Sequence, residues 1–162
     1  MKIKAVEKKF ILLIFAISVL VSGCASNAQY VHFPDQNKIV EDPGKGRIYL
    51  LRPKLAGIGI APDISDDGEA IGSTSPRGFL CWERKPGSTT ISGKTDNTSK
   101  ITVDVQAGKV SYIIQTIDFG WISTDNQLDI VTEQEGKEAL KKCKPPFCYL
   151  INATPVIESH HP

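Results

Sequence analysis

The side chains that carry out covalent catalysis are few in this chain of 162 residues. Its three histidines are His32, His160 and His161, and none of them falls within a predicted strand or helix. A Ser-His-Asp or Cys-His mechanism needs an imidazole held beside the nucleophile. The motifs Gly-x-Ser-x-Gly and His-Glu-x-x-His are missing as well. We therefore expect a protein that is not an enzyme.

Two aspartates near a tryptophan form the arrangement that is best suited to a sugar. Asp118 and Asp125 lie on either side of Trp121, which follows the end of a predicted strand. An indole ring can stack on a sugar or grip a protein partner, and paired carboxylates cleave a glycosidic bond when they face each other across about 5–10 Å. These three residues are the candidate binding site. An enzyme or accessory subunit acting on cell-wall glycan is therefore the alternative function.

A second group of carboxylates, at positions 63, 66, 67 and 69, offers oxygen atoms to a calcium ion. Their spacing lacks the Asp-x-Asp-x-Asp-Gly order of an EF-hand loop. Asp66-Asp67-Gly68 also suits a tight hairpin turn, because these residues tolerate a positive φ. We favour the turn, and we predict neither a metal site nor a cofactor.

Cys24 stands at the end of a pattern that gives its thiol a specific use. Four lysines in the first nine residues precede an apolar run from Phe10 to Val21, and Ser22-Gly23 places small residues directly before the cysteine. The run is shorter than the roughly 20 residues of a helix that spans a bilayer. The pattern predicts a signal peptide over residues 1–23 and a mature chain whose first residue, Cys24, receives acyl chains. An uncleaved amphipathic anchor is the alternative.

Residues 1–24 resemble the signal peptides of bacterial lipoproteins. That resemblance implies attachment to a membrane through the lipid on Cys24. Ala25 stands where Asp would favour retention in the inner membrane, which implies sorting to the outer membrane of a Gram-negative cell, facing the periplasm.

The charge of the mature chain argues against nucleic acid as a partner. Removal of residues 1–23 takes four Lys and one Glu from the 19 basic and 18 acidic residues, which leaves a net charge of −2. Binding to nucleic acid depends on clustered Lys and Arg side chains that neutralise phosphates. No such cluster is present, so membrane attachment has to depend on the acyl chains.

Three cysteines follow Cys24, and an exported domain meets an oxidising compartment in which thiols pair. Four residues separate Cys143 from Cys148, so a turn there can bring their Cα atoms to the roughly 4.4–6.8 Å that a disulfide needs. We predict a disulfide between Cys143 and Cys148, with Cys81 free and buried in a strand. Pairing of Cys81 with either of the others is the alternative.

The composition divides the mature chain into three parts. Residues 24–45 are polar, contain Pro and Gly and show no period, which predicts a lipid-anchored tether. A folded domain over residues 46–151 follows, and residues 152–162 form a loose tail. Tyr30, Val31 and Phe33 offer the alternative that the first part adds a short strand to the domain.

Short strands separated by Gly and Pro turns fill the predicted domain. Ile101, Val103 and Val105 alternate with polar residues, which is the period of a sheet with one wet face. Thr132 and Glu135 form a capping box before one helix, which Gly136 weakens by about 1 kcal/mol relative to Ala. The sequence thus predicts an all-β, Ig-like antiparallel β-sandwich with one short C-terminal helix. The predicted core comprises Tyr49, Leu51, Ile91, Val103, Val105, Tyr112 and Ile114.

Several motifs follow one another in an order typical of a single family. They are Gly46-Arg47-Ile48-Tyr49-Leu50-Leu51-Arg52-Pro53, Asp66-Asp67-Gly68-Glu69-Ala70-Ile71-Gly72, Lys85-Pro86-Gly87 and Ala107-Gly108-Lys109-Val110-Ser111-Tyr112. In these motifs the chain resembles, over roughly residues 44–142, the DUF2846 family of small bacterial lipoproteins of unknown function. The resemblance implies a transthyretin-like sandwich with a short helix near its end, and it supplies no functional residue. The chain departs from the family at Ser111 and in the segment from Cys143 to Cys148.

Together these features lead us to expect a non-catalytic lipoprotein of the cell envelope. It would be anchored by its lipid and would bind or scaffold another envelope component, either a protein or a glycan.

Serine in place of Cys24 is expected to abolish the uptake of labelled palmitate and to leave an uncleaved or mislocalised precursor. The reason is that the thiol is the group that is acylated, and a single weak hydrophobic segment cannot replace several acyl chains. Metabolic labelling followed by membrane fractionation measures both effects, and Ser26→Ala serves as the matched control. Efficient labelling of Cys24→Ser would contradict the prediction.

Overall fold

A computed structural model of the chain describes residues 27–119 and 124–146. The predicted signal peptide and tail, together with Cys24, Trp121 and Cys148, lie outside the described residues. Among the residues described, no helix is long and apolar enough to cross a bilayer. The described chain forms nine strands and one helix: β1 (Ala28–Gln29), β2 (Gly46–Arg52), β3 (Asp63–Asp66), β4 (Glu69–Ser73), β5 (Gly78–Arg84), β6 (Gly87–Lys94), β7 (Thr98–Val105), β8 (Val110–Phe119), β9 (Thr124–Val131) and α1 (Glu133–Leu140).

The strands form two sheets with a common core, which confirms the predicted all-β sandwich with one short helix. The first sheet has the order β1-β4-β3-β6-β7, and the second has the order β5-β2-β8-β9. Neighbouring strands are antiparallel except β2 and β8, which run parallel in the middle of the second sheet. The sandwich is therefore mixed rather than wholly antiparallel, because two strands that are distant in sequence meet at its centre.

β2 is buried along its whole length, because it has a hydrophobic cluster on each face. Ile48 and Leu50 point into the core between the sheets, where they meet Ile91 of the first sheet. Tyr49 and Leu51 point to the other face, which the helix covers. The predicted core residues divide in the same way. Ile91, Val103 and Val105 lie between the sheets, whereas Tyr49, Leu51 and Tyr112 lie under the helix, with Ile114 packed against them.

The helix begins at the predicted capping box and depends on its glycine. The N–H of Glu135 donates to the hydroxyl of Thr132 at 3.3 Å, and the N–H of Thr132 donates to the carboxylate of Glu135 at 3.0 Å. Gly136 lies on the ring of Tyr112, where a Cβ atom would stand 2.2 Å from Cγ. Gly136 therefore lowers the helix propensity of this segment, but its lack of a side chain lets the helix pack closely on the sheet.

The described part of the predicted tether, residues 27–45, packs on the domain, and we call it the arm. β1 pairs with β4 of the first sheet. The side-chain amide of Gln29 bonds β5 of the second sheet, donating to the carbonyl of Cys81 at 2.9 Å and accepting from its N–H at 3.0 Å. The arm thus joins the two sheets along one side. The prediction of a tether is wrong from Asn27 onward, because the edges of β4 and β5 present backbone groups that the arm satisfies.

The strand register gives the sandwich two distinct ends. Arg52 lies opposite Gly78, and Ala28 lies opposite Ser73, so the chain enters the fold at this end. We call it the Asn27 end. The turn between β3 and β4 lies at the other end, beside the start of β2, and we call that the Asp67 end.

Alanine in place of Gly136 is expected to lower the free energy of unfolding by about 1–3 kcal/mol, because the new methyl group overpacks against Tyr112. Helix propensity alone predicts the opposite sign, a gain of about 1 kcal/mol. Urea denaturation followed by circular dichroism measures the change. Gln134→Ala, at an exposed position of the same helix, is the control and should change stability by less than about 0.5 kcal/mol. A more stable Gly136→Ala chain would show that the contact with Tyr112 does not constrain the helix.

Candidate functional site

A groove of about 670 Å³ lies at the Asp67 end, between the arm and the end of the sandwich. The arm forms one wall, and the β3–β4 turn and the last residues of β5 form the other. Carboxylates predominate in its lining, with Glu41, Asp42, Asp66, Asp67, Glu69 and Glu83 set against Lys45, Arg84, Lys85 and His32. The groove therefore presents a largely charged surface with an acidic bias.

The turn at this end is the tight hairpin that the sequence predicts. Asp66 pairs with Glu69, and the two residues between them, Asp67 and Gly68, have φ values of 48° and 87°. A two-residue loop with both φ values positive matches the right-handed twist of the flanking strands. Within the described part of the chain, no three metal-binding side chains are clustered. The carboxylates of Asp66 and Asp67 are instead engaged by neighbouring donors.

Arg84 organises the floor of the groove. Its Nη1 contacts the carboxylate of Asp66 and the hydroxyl of Thr89, and its Nη2 lies 3.0 Å from the carboxylate of Asp67. Trp82 Nε1 donates to the other oxygen of Asp66 at 2.8 Å. The Trp82 ring itself is buried in the core. The indole N–H and the guanidinium group thus fix Asp66 from two sides.

Asp67 is held more openly at the rim. The N–H of Thr90 donates to its carboxylate at 2.8 Å. This backbone bond, together with the Arg84 guanidinium, holds the pKa of Asp67 below its usual value. Asp67 therefore remains a negative charge at the mouth of the groove under neutral conditions.

Arg47 and Glu83 fasten the arm over the groove. Arg47, of which 1 % is exposed, lies opposite Glu83 in the β2–β5 register, and its Nη2 stands 2.8 Å from the Glu83 carboxylate. The guanidinium also donates to the arm carbonyls of Asp35 and Lys38, at 3.0 and 2.7 Å. One buried cation therefore ties the arm to both β2 and β5.

Glu83 completes this clamp from the other side. Its carboxylate accepts hydrogen bonds from the N–H groups of Glu41 and Asp42, at 2.6 and 3.1 Å. Burial raises the pKa of Glu83, but these backbone donors and the Arg47 guanidinium outweigh burial, so the pKa lies below its usual value. The ionised form is thus the one that the fold stabilises.

The groove offers hydrogen bonds and ion pairs rather than a nucleophile with its base. His32 is the one histidine in the described part of the chain, and its Nε2 lies 2.8 Å from the carboxylate of Glu41 on the exposed wall. None of the residues that line the groove is a serine, threonine or cysteine. This arrangement suits the binding of a charged or polar partner.

The candidate residues predicted from the sequence lie elsewhere. Asp118 and Asp125 stand directly opposite each other in the β8–β9 register, and both are exposed. They belong to the Asn27 end, far from the groove, and Trp121 lies outside the described residues. The prediction thus joined two residues that the fold does bring together, but it missed the groove. Arg47, a charged residue at the start of an otherwise apolar strand, was the available signal.

The described cysteines are both free. Cys81 is buried, as predicted, and burial raises its pKa to about 12. Cys143 is half-buried against the cluster under the helix, and burial raises its pKa to about 11. Cys148, the predicted disulfide partner of Cys143, lies outside the described residues, so the predicted pairing stays a prediction. Both described thiols are protonated at neutral pH, which makes them poor nucleophiles.

Glutamine in place of Glu83 is expected to loosen the arm, because it removes the charge that compensates the buried Arg47 guanidinium while keeping the size of the side chain. Trypsin cleavage after Lys38 and Lys45 should become at least about tenfold faster at pH 7, as followed by mass spectrometry. Glu69→Gln, on the exposed rim of the groove, is the matched control and should be cleaved like the native chain. Equal cleavage of Glu83→Gln and the native chain would show that the ion pair does not hold the arm.

The effect of Glu83→Gln on stability should also depend on pH. The pKa of Glu83 is lower in the folded than in the unfolded chain. Its stabilising contribution is therefore complete above the unfolded value and is lost as the pH falls through the folded value. The difference in melting temperature between the two chains should thus be largest near pH 7 and should shrink as the pH falls below the usual pKa of a glutamate. A difference that does not change with pH would contradict this origin.

Comparison with known proteins places the chain in a family. The family model described as a protein of unknown function, DUF2846, matches residues 42–126, a range that includes the β3–β4 turn, Glu83 and Arg84. The chain is also 29 % identical, over 133 residues, to an uncharacterized protein of Haemophilus influenzae, and the alignment covers 80 % of this chain and 79 % of that relative. No solved structure matches the chain. Because the family model spans 85 of its 162 residues, the chain belongs to the DUF2846 family.

Proposed function

We propose that the protein is a lipid-anchored lipoprotein of the cell envelope that binds another envelope component in the charged groove and catalyses no reaction. The acyl chains on Cys24 would hold it in the outer membrane, facing the periplasm. The observation that carries the proposal is the position of the groove. It opens at the Asp67 end, whereas the chain enters the fold at the Asn27 end.

This geometry suits a protein that presents a binding surface away from a membrane. Asn27 is fixed in the fold by a hydrogen bond from its side-chain amide to the carbonyl of Phe79 at 2.9 Å. Cys24 precedes it by three residues, a reach of at most about 11 Å. A lipid on Cys24 would therefore keep the Asn27 end close to the bilayer. The groove, at the opposite end of strands such as the seven-residue β2, would face the periplasm.

The rigidity of the groove favours recognition. Its walls are fixed by Arg47–Glu83 on the arm side and by Arg84 with Asp66 and Asp67 on the sandwich side. A site whose side chains are already ordered loses less conformational entropy on binding. Exposed Glu69 and the acidic bias of the lining favour a partner segment that carries Lys or Arg side chains, such as a basic stretch of an envelope protein.

A glycan-directed activity is the second candidate, and the pairing of Asp118 with Asp125 is the observation that favours it. Side chains directly opposite on antiparallel strands have Cβ atoms about 4.5–5.5 Å apart, close to the carboxyl separation of about 5–5.5 Å in retaining glycosidases. Against this candidate, both aspartates are exposed and neither of them lines the groove.

Site-specific photo-crosslinking in living cells separates the two candidates. A photoreactive residue in place of Glu69, on the rim of the groove, is expected to capture a discrete envelope protein that mass spectrometry identifies. The same residue in place of Asp104, exposed on β7 and outside the groove, is the matched control. With the captured partner in hand, Glu69→Lys should weaken its binding roughly threefold to tenfold, because it introduces a like charge at the rim. Asp104→Lys should leave the binding unchanged.

Two results would overturn the proposal. One is equal capture from both positions, which would mean that the groove is not the contact. The other is hydrolysis of peptidoglycan fragments by the purified chain that is lost in Asp118→Asn, which would establish the glycan-directed activity instead.

A further inference from the structure

The Asn27 end carries a loop that displays apolar side chains on its surface. The loop runs from Pro53 to Pro62, between β2 and β3. Within the described part of the chain, five large hydrophobic side chains are exposed, and two of them, Leu55 at 51 % and Ile58 at 75 %, belong to this loop. Exposed apolar side chains grouped on one loop differ from the single ones that any surface carries.

Arg52 holds this loop in one shape from the inside. Its guanidinium is buried, with 1 % of the residue exposed. Nη1 donates to the carbonyls of Ile60 and Thr74, at 2.8 and 3.3 Å, and Nη2 donates to those of Ala56 and Gly57, at 2.9 and 2.8 Å. Four carbonyl oxygens of the loop and the next turn thus converge on one cation. The loop is fixed although it has no regular secondary structure.

The turn at the tip of the loop directs Ile58 outward. The N–H of Ile60 donates to the carbonyl of Gly57 at 3.0 Å, which closes a four-residue turn with Ile58 and Gly59 at its centre. Gly59 has a φ of 87°, as the third residue of a type II turn requires. A Cβ on Gly57 would stand 2.4 Å from Arg52 Nη2, so this residue lies against the guanidinium while its neighbour faces solvent. Ile58 therefore projects into solvent from the tip of an ordered turn.

The charges at this end do not explain such a surface. In the described part of the chain this end displays both cations, such as Lys54, Arg77 and Lys94, and carboxylates, such as Asp63, Asp96, Asp118 and Asp125. A mixed set of charges gives little net attraction to anionic headgroups. Contact with a lipid surface would therefore depend on the apolar side chains, and it should be insensitive to salt.

We infer that the loop over residues 53–62 docks into the lipid bilayer, with Leu55 and Ile58 inserted at the level of the headgroups. The inference rests on the proposed function, because it requires the acyl anchor on Cys24. Asn27 lies at the same end as the loop, and the three residues from Cys24 give a reach of at most about 11 Å. Apolar groups that lie in an interface enter it by about 5–10 Å, which is within that reach. The loop and the lipid together set the orientation of the protein, with the groove pointing away from the bilayer.

Quenching of tryptophan fluorescence by brominated lipid tests the inference on the full chain. The chain is produced in a Gram-negative host, purified from membranes and reconstituted into vesicles of phosphatidylethanolamine and phosphatidylglycerol with bromine on their acyl chains. Ile58→Trp places a reporter at the tip of the loop. Ile39→Trp is the matched control, because Ile39 is 73 % exposed and lies on the arm, near the Arg47 end of β2. The signal of the two native tryptophans is subtracted with the unsubstituted chain.

The fluorescence added by Ile58→Trp is expected to fall by about half in brominated vesicles, in low and in high salt, whereas that added by Ile39→Trp is unchanged. The mass of the N-terminal peptide, measured on the same samples, reports whether Cys24 carries acyl chains. If Cys24 is acylated and the two reporters are quenched equally, the docking of the loop is wrong and the anchor stands. If Cys24 carries no lipid, the anchor of the proposed function fails and the docking falls with it.

Discussion

A guanidinium group is buried at each end of β2, and the irregular parts of the structure depend on these two cations. Arg47 binds two carbonyls of the arm and the carboxylate of Glu83. The two terminal nitrogens of Arg52 donate to four carbonyl oxygens and to no carboxylate in the described part of the chain, and burial lowers the pKa of Arg52 to about 10. A buried cation is tolerated when its donors are bonded, and backbone carbonyls need donors when they leave solvent. The carbonyl groups that bind each guanidinium therefore compensate for its removal from water. In return, each arginine orders the segment that supplies those carbonyls.

Hydrogen bonds from the arm also join the two sheets along one side of the sandwich, where β4 and β5 lie. β5 is the edge strand of the second sheet, β4 is followed in the first sheet by the two-residue β1, and the arm lies along both strands. It pairs with β4 through its backbone and with β5 through the side-chain amides of Asn27 and Gln29. A glutamine amide has one donor and one acceptor group in the geometry of a peptide unit, so it can stand in for a strand residue. β1 and the two side-chain amides thus cover the backbone groups along β4 and β5 that would otherwise be left unpaired.

These contacts give the protein two chemically different ends. At the Asp67 end, Arg84 and Asp66 hold the floor of a charged groove under an arm that Glu83 fastens. At the Asn27 end, Arg52 fixes a loop whose apolar side chains face outward. The two ends differ because of where their polar groups bond. At the Asp67 end, charged side chains form ion pairs with one another. At the Asn27 end, the loop carbonyls bond to the buried Arg52, which leaves the apolar side chains facing solvent. A lipid anchor three residues before Asn27 would keep the Asn27 end at the bilayer and the groove away from it.

The sequence by itself determined the local features, because these depend on neighbours along the chain. Period-2 alternation predicted β7, the pair Asp67-Gly68 predicted the hairpin turn, and Thr132 with Glu135 predicted the start of the helix. It could not determine which distant groups would meet. Arg47 and Glu83 are 36 residues apart and become partners only through the register of β2 with β5, and the polar arm looks like a tether until the sheet edges that it satisfies are known. The groove and the loop with Ile58 are products of such long-range pairings, so only the tertiary structure decided where they lie and which side chains they present.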